Sequence, residues 1–542
     1  MNGLMMDYQL TLGAILRRVE ELYRDTSLVS RRHDGSWSRS TYGEVASRAK
    51  RLVVALHGLG IGDGDRVATL MWNHQEHFET YLGAPSGGMV THTLNLRLHP
   101  DELGFIAGHA ADRVLVVDKV LWPVAQQLIE RHRFEHVIAV GEGETPAGCL
   151  DYEALLAAAD ESAFPDEDID ERTAAAMCYT SGTTGRPKGV VYSHRAIALH
   201  ALTVVASLGI NGSDTVLPVV PMFHANAWCF PFCASLVGAR QVFPGPRLDP
   251  ASLLDDLVDE GVTLTAGVPT IWMGILAALD AEPERWDLSR LRSMLVGGAA
   301  PPRAMIAAFA ERHGIQVTQG WGMTELCPVG TLSGIPGDEE GLTADAAYDR
   351  RALQGTPIPF VEVRARGGEG LVPWDGATMG ELETRGPSVA AAYYDAPDAA
   401  DRWTEDGWFK TGDIVTIAAD GCVAIQDRAK DLVKSGGEWI STVALENALM
   451  GHPAVAEAAV IAVPDEKWSE RPCAVVVLRE GAAADADELR AFIEPSFARW
   501  WLPERFEFVD EIPKTAVGKF RKTALRERFS ATEQPKTARK EQ

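Results

Sequence analysis

This 542-residue chain has no run of 18 uncharged apolar residues, so no membrane-spanning helix is expected. Its first residues carry Asp7 and reach Arg17 and Arg18 without a continuous apolar core, so they do not read as a signal peptide. Cysteine is scarce and its count is odd: seven, irregularly spaced at 149, 178, 229, 233, 327, 422 and 473. A large chain with that pattern is not a disulfide scaffold. Cys229 and Cys233 stand four apart. Trp228, Phe230, Pro231 and Phe232 surround them and no third ligand is near, so they read as small core residues rather than metal ligands. Basic charge is also short. Lys and Arg number 51 against 76 Asp and Glu, a net −25, which disfavours nucleic acid or an anionic membrane as a general partner. No internal repeat is present. These absences leave a cytoplasmic, soluble enzyme as the expectation.

What is there points to several domains. The length exceeds what one core supports. Thr41 and Glu44 form a capping-box signal ahead of Val45, Ala49, Leu52, Val53 and Leu56 at helical spacing. Strand-like apolar runs at 66–71, 113–117, 137–140, 215–220, 264–268, 293–296 and 315–318 follow, with helical patterns at 252–260 and 303–312 among them. This alternation predicts an α/β fold with largely parallel sheets. Ligands in such folds sit beyond the carboxyl ends of strands, so the loops after Cys178, Val220, Val296 and Thr318 are where chemistry is expected. From 361 to about 427 the texture is richer in β patterns and glycine turns. It changes again near Lys430. A helix at 441–449, strands at 455–463 and 473–478 and a helix at 485–497 predict a small α+β unit of ordinary domain size. The boundary is expected at 428–431. The tail from 530 is polar and basic and is expected to be disordered.

The most specific stretch is YTSGTTGRPKG at 179–189. Glycines let backbone N–H groups approach an anion. The hydroxyls of Thr180, Ser181, Thr183 and Thr184 donate further hydrogen bonds, and Lys188 brings charge. Such a loop can wrap a polyphosphate. It is not a Walker A loop, because no GK[ST] follows the glycines. Glu325, after Gly320, Gly322 and Thr324, is a carboxylate at the end of a glycine-rich turn, which suits Mg²⁺ among phosphate oxygens.

Six further segments join this loop. PMFH at 221–224, VGGAAPP at 296–302, QGWGMTE at 319–325, KTGD at 410–413, DRAKDLVKSGGEWIS at 427–441 and PKTAVGK at 513–519 stand in that order. Together they resemble the motifs of the adenylate-forming enzymes: acyl-CoA synthetases, luciferases and peptide-synthetase adenylation domains. The resemblance implies a large N-terminal domain, 1–429, of α/β subdomains with a β-rich subdomain. It implies a small mobile α+β domain at 430–542. A carboxylate would attack the α-phosphate of ATP and expel pyrophosphate, and a thiol, usually coenzyme A, would attack the acyl-adenylate.

The resemblance also assigns residues. Thr180, Ser181, Gly182, Thr183, Thr184, Gly185 and Lys188 would hold the ATP phosphates, and Glu325 with Thr180 would hold Mg²⁺. Gly298, Ala299, Ala300, Gln319, Gly320, Trp321, Gly322 and Thr324 belong to the ATP-binding motifs. Among them, small residues and an indole face look like an adenine slot. Asp413 would take the ribose, with Arg428 as a second ribose or phosphate contact; Lys430 and Lys434 join the ATP-binding set. Lys519 would bridge carboxylate and phosphate oxygens during adenylation. Lys430 matches the hinge, and Gly436, Gly437, Glu438 and Trp439 the approach of the thiol. His224 falls where the family lines its acyl pocket. Trp228 reads either as the gate of an acyl tunnel or as a packed core residue.

Within the family, HANAW, KSGGEWIS and Trp500-Trp501 most resemble fatty-acyl-CoA synthetases and 3-(methylthio)propionate ligases. The expectation is therefore an AMP-forming ligase for medium- to long-chain fatty acids, using ATP, Mg²⁺ and coenzyme A. A short thioether or branched acid is the rival substrate, and a luciferase-like oxygenase the rival class. A non-catalytic nucleotide-binding regulator is disfavoured, because no motif residue is degraded. A peptide-synthetase role is disfavoured because no carrier domain follows before Gln542. Family members are often homodimers.

Overall fold

The structure is a computed structural model that describes all residues except 2, 166–168, 181–185, 335–336, 338, 436–437, 466, 515–519 and 530–542. The chain divides into two compact units: residues 1–301, 306–363 and 383–410 form the first, and residues 302–305, 364–382 and 411–542 the second. Among the described residues, no helix is long and apolar enough to cross a membrane.

The first unit holds two large sheets. One has seven strands in the order Leu150–Asp151, His136–Val140, Val114–Asp118, Arg66–Leu70, Val90–Thr93, Ala174–Thr180, Lys188–Ser193. Every pair is parallel except the last. The Val114–Asp118 strand is buried at all five positions. That is what a parallel strand covered on both faces requires, and why its sequence is a continuous apolar run. The second sheet has nine strands, parallel from Ser27–Arg31 through Val317–Gly322 and antiparallel at both edges. Within it Thr215–Pro218, Leu264–Gly267, Ser293–Gly297 and Val317–Gly322 are parallel neighbours. Their carboxyl ends therefore open on one edge.

Local signals set several boundaries. The Thr41–Glu44 capping box is present, and it starts the Tyr42–Gly58 helix. Ser193 caps His194–Leu208, and Gly209 ends that helix at φ 61°, a left-handed conformation that glycine adopts without strain.

Three expectations change. The loop after Thr180 first returns as the antiparallel strand Lys188–Ser193, which the sequence reading did not separate out, before the His194–Leu208 helix. The strand expected at 315–318 runs from Val317 to Gly322, so Gly320 and Gly322 lie in a strand with a register shift rather than in a turn. A Cβ on Gly322 would collide with the carbonyl oxygen of Pro328, so glycine there permits close backbone approach. The helix expected to reach 497 stops at Ile493, where a short 3-10 turn containing Pro495 begins.

Most of the second unit is antiparallel. One five-stranded sheet runs Gly370–Leu371, Glu362–Gly367, Gly380–Arg385, Phe409–Ile417, Val423–Arg428, and of it residues 364–367, 370–371, 380–382, 411–417 and 423–428 belong to this unit. A second sheet joins Glu438–Ile440, Val433–Ser435, Ser469–Leu478 and Val455–Asp465, with Arg505–Phe508 parallel on Ser469–Leu478. In the long hairpin, Ala458, Val460, Ala474 and Val476 enter one apolar cluster and Ala459, Ile461, Cys473 and Val475 another. Successive side chains point to opposite faces, and both faces are covered.

Candidate active site

Thr180 and Lys188 are cross-strand partners at the mouth of the hairpin that the phosphate-loop motif spans. Ser181, Gly182, Thr183, Thr184 and Gly185 lie outside the described residues. The base of the hairpin is held from below. The Tyr179 hydroxyl and His109 Nδ1 share a 2.6 Å hydrogen bond. A Cβ on Gly189 would lie 3.1 Å from the Tyr179 ring, and the Gly189 carbonyl accepts from Tyr394 N–H at 2.8 Å. The Lys188 ammonium stands 6.0 Å from the centre of the Tyr393 ring, within the range of a cation–π attraction.

Tyr393 connects this hairpin to Glu325. Its hydroxyl donates to Glu325 Oε1 at 2.5 Å, and Ala390 N–H donates to the Glu325 backbone carbonyl at 2.7 Å. Glu325 is 5% exposed and sits in the short Thr324–Leu326 turn directly after the Val317–Gly322 strand. The Tyr192 hydroxyl donates to the Thr324 carbonyl (2.6 Å), and Val329 N–H donates to His200 Nε2 (3.3 Å). Burial holds the His200 imidazole down at about 3, so it is the neutral acceptor that Val329 needs. Among the described residues no cluster of three or more His, Cys, Asp or Glu can hold a metal. Mg²⁺ does not require one. It is commonly bound by one or two carboxylates together with substrate phosphates and water. A single anchored carboxylate fits that habit.

The neighbouring loops carry the other motifs. Gly298, Ala299 and Ala300 follow the Ser293–Gly297 strand; Ala299 is exposed, and Gly298 and Ala300 are half-buried. Trp321 is buried, and a Cβ on Gly330 would lie 2.6 Å from its ring. Gln319 is buried, and its amide nitrogen faces the carbonyls of Arg351, Ala352 and Leu353 at 3.0–3.1 Å, with its oxygen toward Gln354 Nε2 at 2.7 Å. That side chain is thus engaged in holding the 351–354 segment.

His224 is half-buried at the end of the loop after Thr215–Pro218. Ala225, Asn226, Ala227, Trp228 and Cys229 then follow at φ 43°, 55°, 51°, 53° and 68°. Five successive non-glycine residues wind left-handed, at an intrinsic cost of about 1–2 kcal/mol each. Packing holds the turn. The Trp228 ring is buried against Gly297, where a Cβ would lie 2.9 Å from Cη2. Asn226 Oδ1 accepts from the Cys178 thiol at 3.5 Å, and burial pushes that thiol up to about 11. The Cys229 and Cys233 thiols are buried and donate to the carbonyls of Ile197 and Ala201.

In the second unit, Asp413 and Arg428 are cross-strand partners, with Arg428 Nε 2.7 Å from Asp413 Oδ1. Arg428 Nη1 also donates to the Thr411 carbonyl (3.2 Å). Burial holds the Lys430 ammonium below its usual range. The Lys430 carbonyl accepts from Arg526. Lys434 is exposed, its N–H donates to Glu470 Oε2 at 2.8 Å, and it pairs across the strand with the half-buried Trp439. Gly436, Gly437 and Lys519 lie outside the described residues, and Glu438 belongs to the Glu438–Ile440 strand.

The structure therefore links Lys188, the cross-strand partner of Thr180, to Glu325 through Tyr393, and packs Trp228 against Gly297. Sequence reasoning missed Tyr393, Tyr192 and His200. Tyr393 sits in a connecting segment with neither helical nor strand period, so its aromatic pair with Tyr394 was the only available signal.

Comparison with known proteins agrees. Residues 16–394 match the AMP-binding enzyme family, and residues 444–519 match the AMP-binding enzyme C-terminal domain. The chain is 48% identical to a long-chain-fatty-acid–CoA ligase of Thermus thermophilus, over 97% of this chain and 96% of that protein. It is 40% identical to the 3-methylmercaptopropionyl-CoA ligase of Ruegeria lacuscaerulensis, over 98% of this chain and 99% of that protein. The crystal structure of the anthranilate CoA ligase AuaEII in complex with anthranoyl-AMP superimposes with a TM-score of 0.86 at 27% identity, covering 96% of this chain and 98% of that one. These likenesses have one common explanation: the chain belongs to the AMP-binding enzyme family and is an AMP-forming acyl-CoA ligase.

Proposed function

We propose that this ligase activates medium- to long-chain fatty acids. The observation that carries the reading is the left-handed turn that sets the Trp228 ring against Gly297, directly after His224 and beside apolar residues. An indole at that point can border a long apolar chain and adjust to its length. The named activity of the Thermus thermophilus relative supports it. The Ruegeria lacuscaerulensis relative supports a second reading, a short thioether acid. A panel of carboxylic acids of graded length, assayed for AMP release with ATP and coenzyme A, decides. Highest kcat/KM for medium and long chains supports the first reading. A maximum at short thioether acids supports the second.

In the proposed reaction the substrate carboxylate attacks the α-phosphorus of ATP, and pyrophosphate leaves with the electrons of the broken P–O bond. The coenzyme A thiol, losing its proton, then attacks the acyl carbon and AMP departs. Charge builds on phosphoryl oxygens, so the chain must supply fixed donors and cations rather than a nucleophile. Thr180 and Lys188 serve the phosphates, with Ser181, Gly182, Thr183, Thr184 and Gly185 of the same motif. Glu325, assisted by Thr180, would hold Mg²⁺, which when bound supplies charge neutralisation at those oxygens. Gly298, Ala299, Ala300, Gly320 and Trp321 border the adenine, and Asp413 with Arg428 binds the ribose.

Lys519 bridges the carboxylate and phosphate oxygens, Lys430 serves as the hinge of the 430–542 domain, and Gly436, Gly437, Glu438 and Trp439 guide the thiol. Lys519→Ala is expected to stop adenylate formation from acid and ATP while sparing thioester formation from supplied acyl-adenylate. Equal slowing of both steps would remove that role. A cytoplasmic homodimer completes the proposal, to be measured by cell fractionation and analytical ultracentrifugation.

A further inference from the structure

The segment 218–223 leads from the Thr215–Pro218 strand to His224 and is almost wholly buried. Its sheet gives it little: the N–H groups of Val219 and Val220 both donate to the Ala266 carbonyl, at 2.9 and 3.0 Å. Buried backbone groups must find partners. The Pro221 carbonyl accepts from His224 N–H at 3.0 Å, and three side chains from the region of the seven-stranded sheet supply further partners. Asn73 Nδ2 donates to the carbonyls of Pro218 (3.0 Å) and Val220 (2.9 Å), and Asn73 Oδ1 accepts from Met222 N–H (2.7 Å). The Tyr81 hydroxyl donates to the Met222 carbonyl, and Thr93 Oγ1 donates to the Phe223 carbonyl at 3.2 Å. Asn73, Tyr81 and Thr93 are all buried.

A primary amide has two N–H donors and one acceptor oxygen. Asn73 applies all three to one loop. Aspartate offers no donor there, and threonine only one. The loop ends at His224, whose carbonyl accepts from Ala227 N–H at 3.1 Å inside the left-handed turn. A turn of that hand has no local preference to guide it, so its direction depends on how the chain enters it.

We infer that Asn73 is a positioning residue for the acid substrate. Its amide, with the Tyr81 and Thr93 hydroxyls, sets the register of residues 218–223 and hence where His224 and Trp228 stand. This rests on the proposal that His224 and Trp228 border the acyl group.

The test measures KM for ATP, KM for acids of graded length and the thermal midpoint of Asn73→Ala, Asn73→Asp, Tyr81→Phe, Thr93→Val and Trp228→Ala. Asn73→Ala is expected to raise KM for the acid about tenfold or more and to flatten the preference among chain lengths, with KM for ATP changed less than about twofold. Asn73→Asp keeps the shape but turns an oxygen toward two carbonyls, so it is expected to match Ala. Tyr81→Phe and Thr93→Val each remove one bond and are expected to raise acid KM about two- to threefold. A lowered thermal midpoint with parent-like acid KM and length preference overturns the inference, as does a parallel rise in both KM values. If Asn73→Ala does not fold, parent-like acid KM in both hydroxyl variants overturns it. Unchanged length preference in Trp228→Ala removes the acyl-pocket reading itself. Altered preference there with parent-like Asn73→Ala removes only the role of Asn73.

Discussion

Two carboxylates, one in each unit, are held in opposite ways. Glu325 accepts from a neutral phenol, Tyr393. Asp413 is paired with a guanidinium, Arg428. A phenol orients a carboxylate and leaves its full negative charge available. A guanidinium orients it and cancels that charge. The first arrangement suits a divalent cation, and the second suits neutral hydroxyls such as those of a ribose. The partner of each acid therefore separates the two proposed roles, although the acids themselves are chemically alike.

The largest effect should come from removing the uncancelled charge. Glu325→Gln is expected to lower AMP formation by at least about a hundredfold and to raise the Mg²⁺ concentration needed for half-activity, an ion and its ligands being worth several kcal/mol at a transition state. Turnover like that of the parent would end the contrast at once. Asp413→Asn should act on the nucleotide instead. KM for ATP is expected to rise roughly tenfold or more, the scale of a lost charge-assisted hydrogen bond, with the Mg²⁺ requirement unchanged. A Mg²⁺ shift in this variant equal to that of Glu325→Gln would break the comparison. Tyr393→Phe sharpens it further. It keeps the charge of Glu325 but frees its orientation, so kcat/KM should fall roughly tenfold and the Mg²⁺ titration should move in the same sense as in Glu325→Gln. An unaltered titration would show that the phenol does not serve the metal.

The effect expected to be smallest on catalysis, a change in stability rather than rate, concerns the acceptor behind the Glu325 turn. Burial lowers His200 from 6.5 to about 3. As pH falls below 6.5 the unfolded chain takes up the proton and the folded chain does not. Stability of the first unit should therefore decline from pH 6.5 toward pH 3, by up to about 1.4 kcal/mol per pH unit for this group. His77 and His194, lowered by burial to about 3 and about 4, act in the same direction. Urea midpoints at stepped pH should fall less steeply in His200→Gln. An identical slope would mean that His200 does not titrate with unfolding.

Strands that are buried on both faces were legible, because a continuous apolar run such as Val114–Asp118 has few other uses. The motif residues were legible by type and order. Their partners were not. Asp413 was visible, but its pairing with Arg428 depends on a strand register that no local pattern announces. The hairpin after Thr180 was hidden because glycine and proline mark a turn without specifying whether a strand or a helix comes next. The left-handed run at 225–229 ran against local preference. None of its five residues is glycine, so packing around Trp228 and Cys229, and not propensity, decides its hand. Gly320 and Gly322 misled for a related reason: glycine signalled a turn where the fold needed a strand with room for a neighbouring backbone.

The connection from Gly386 to Tyr394 has the composition of an ordinary surface linker, and such linkers usually drift in length among related proteins. This one is pinned at three points. Ala390 grips the carbonyl of Glu325, Tyr393 grips its carboxylate, and Tyr394 grips Gly189. One inserted residue would displace the later grips by up to about 3.5 Å relative to the first, more than a hydrogen bond can stretch. Exposed positions here are free to vary while length is not. Across relatives the segment should accumulate substitutions at the exposed Ala391 and Ala392 yet resist insertions and deletions, so that a spacing is kept along with the Tyr393 hydroxyl.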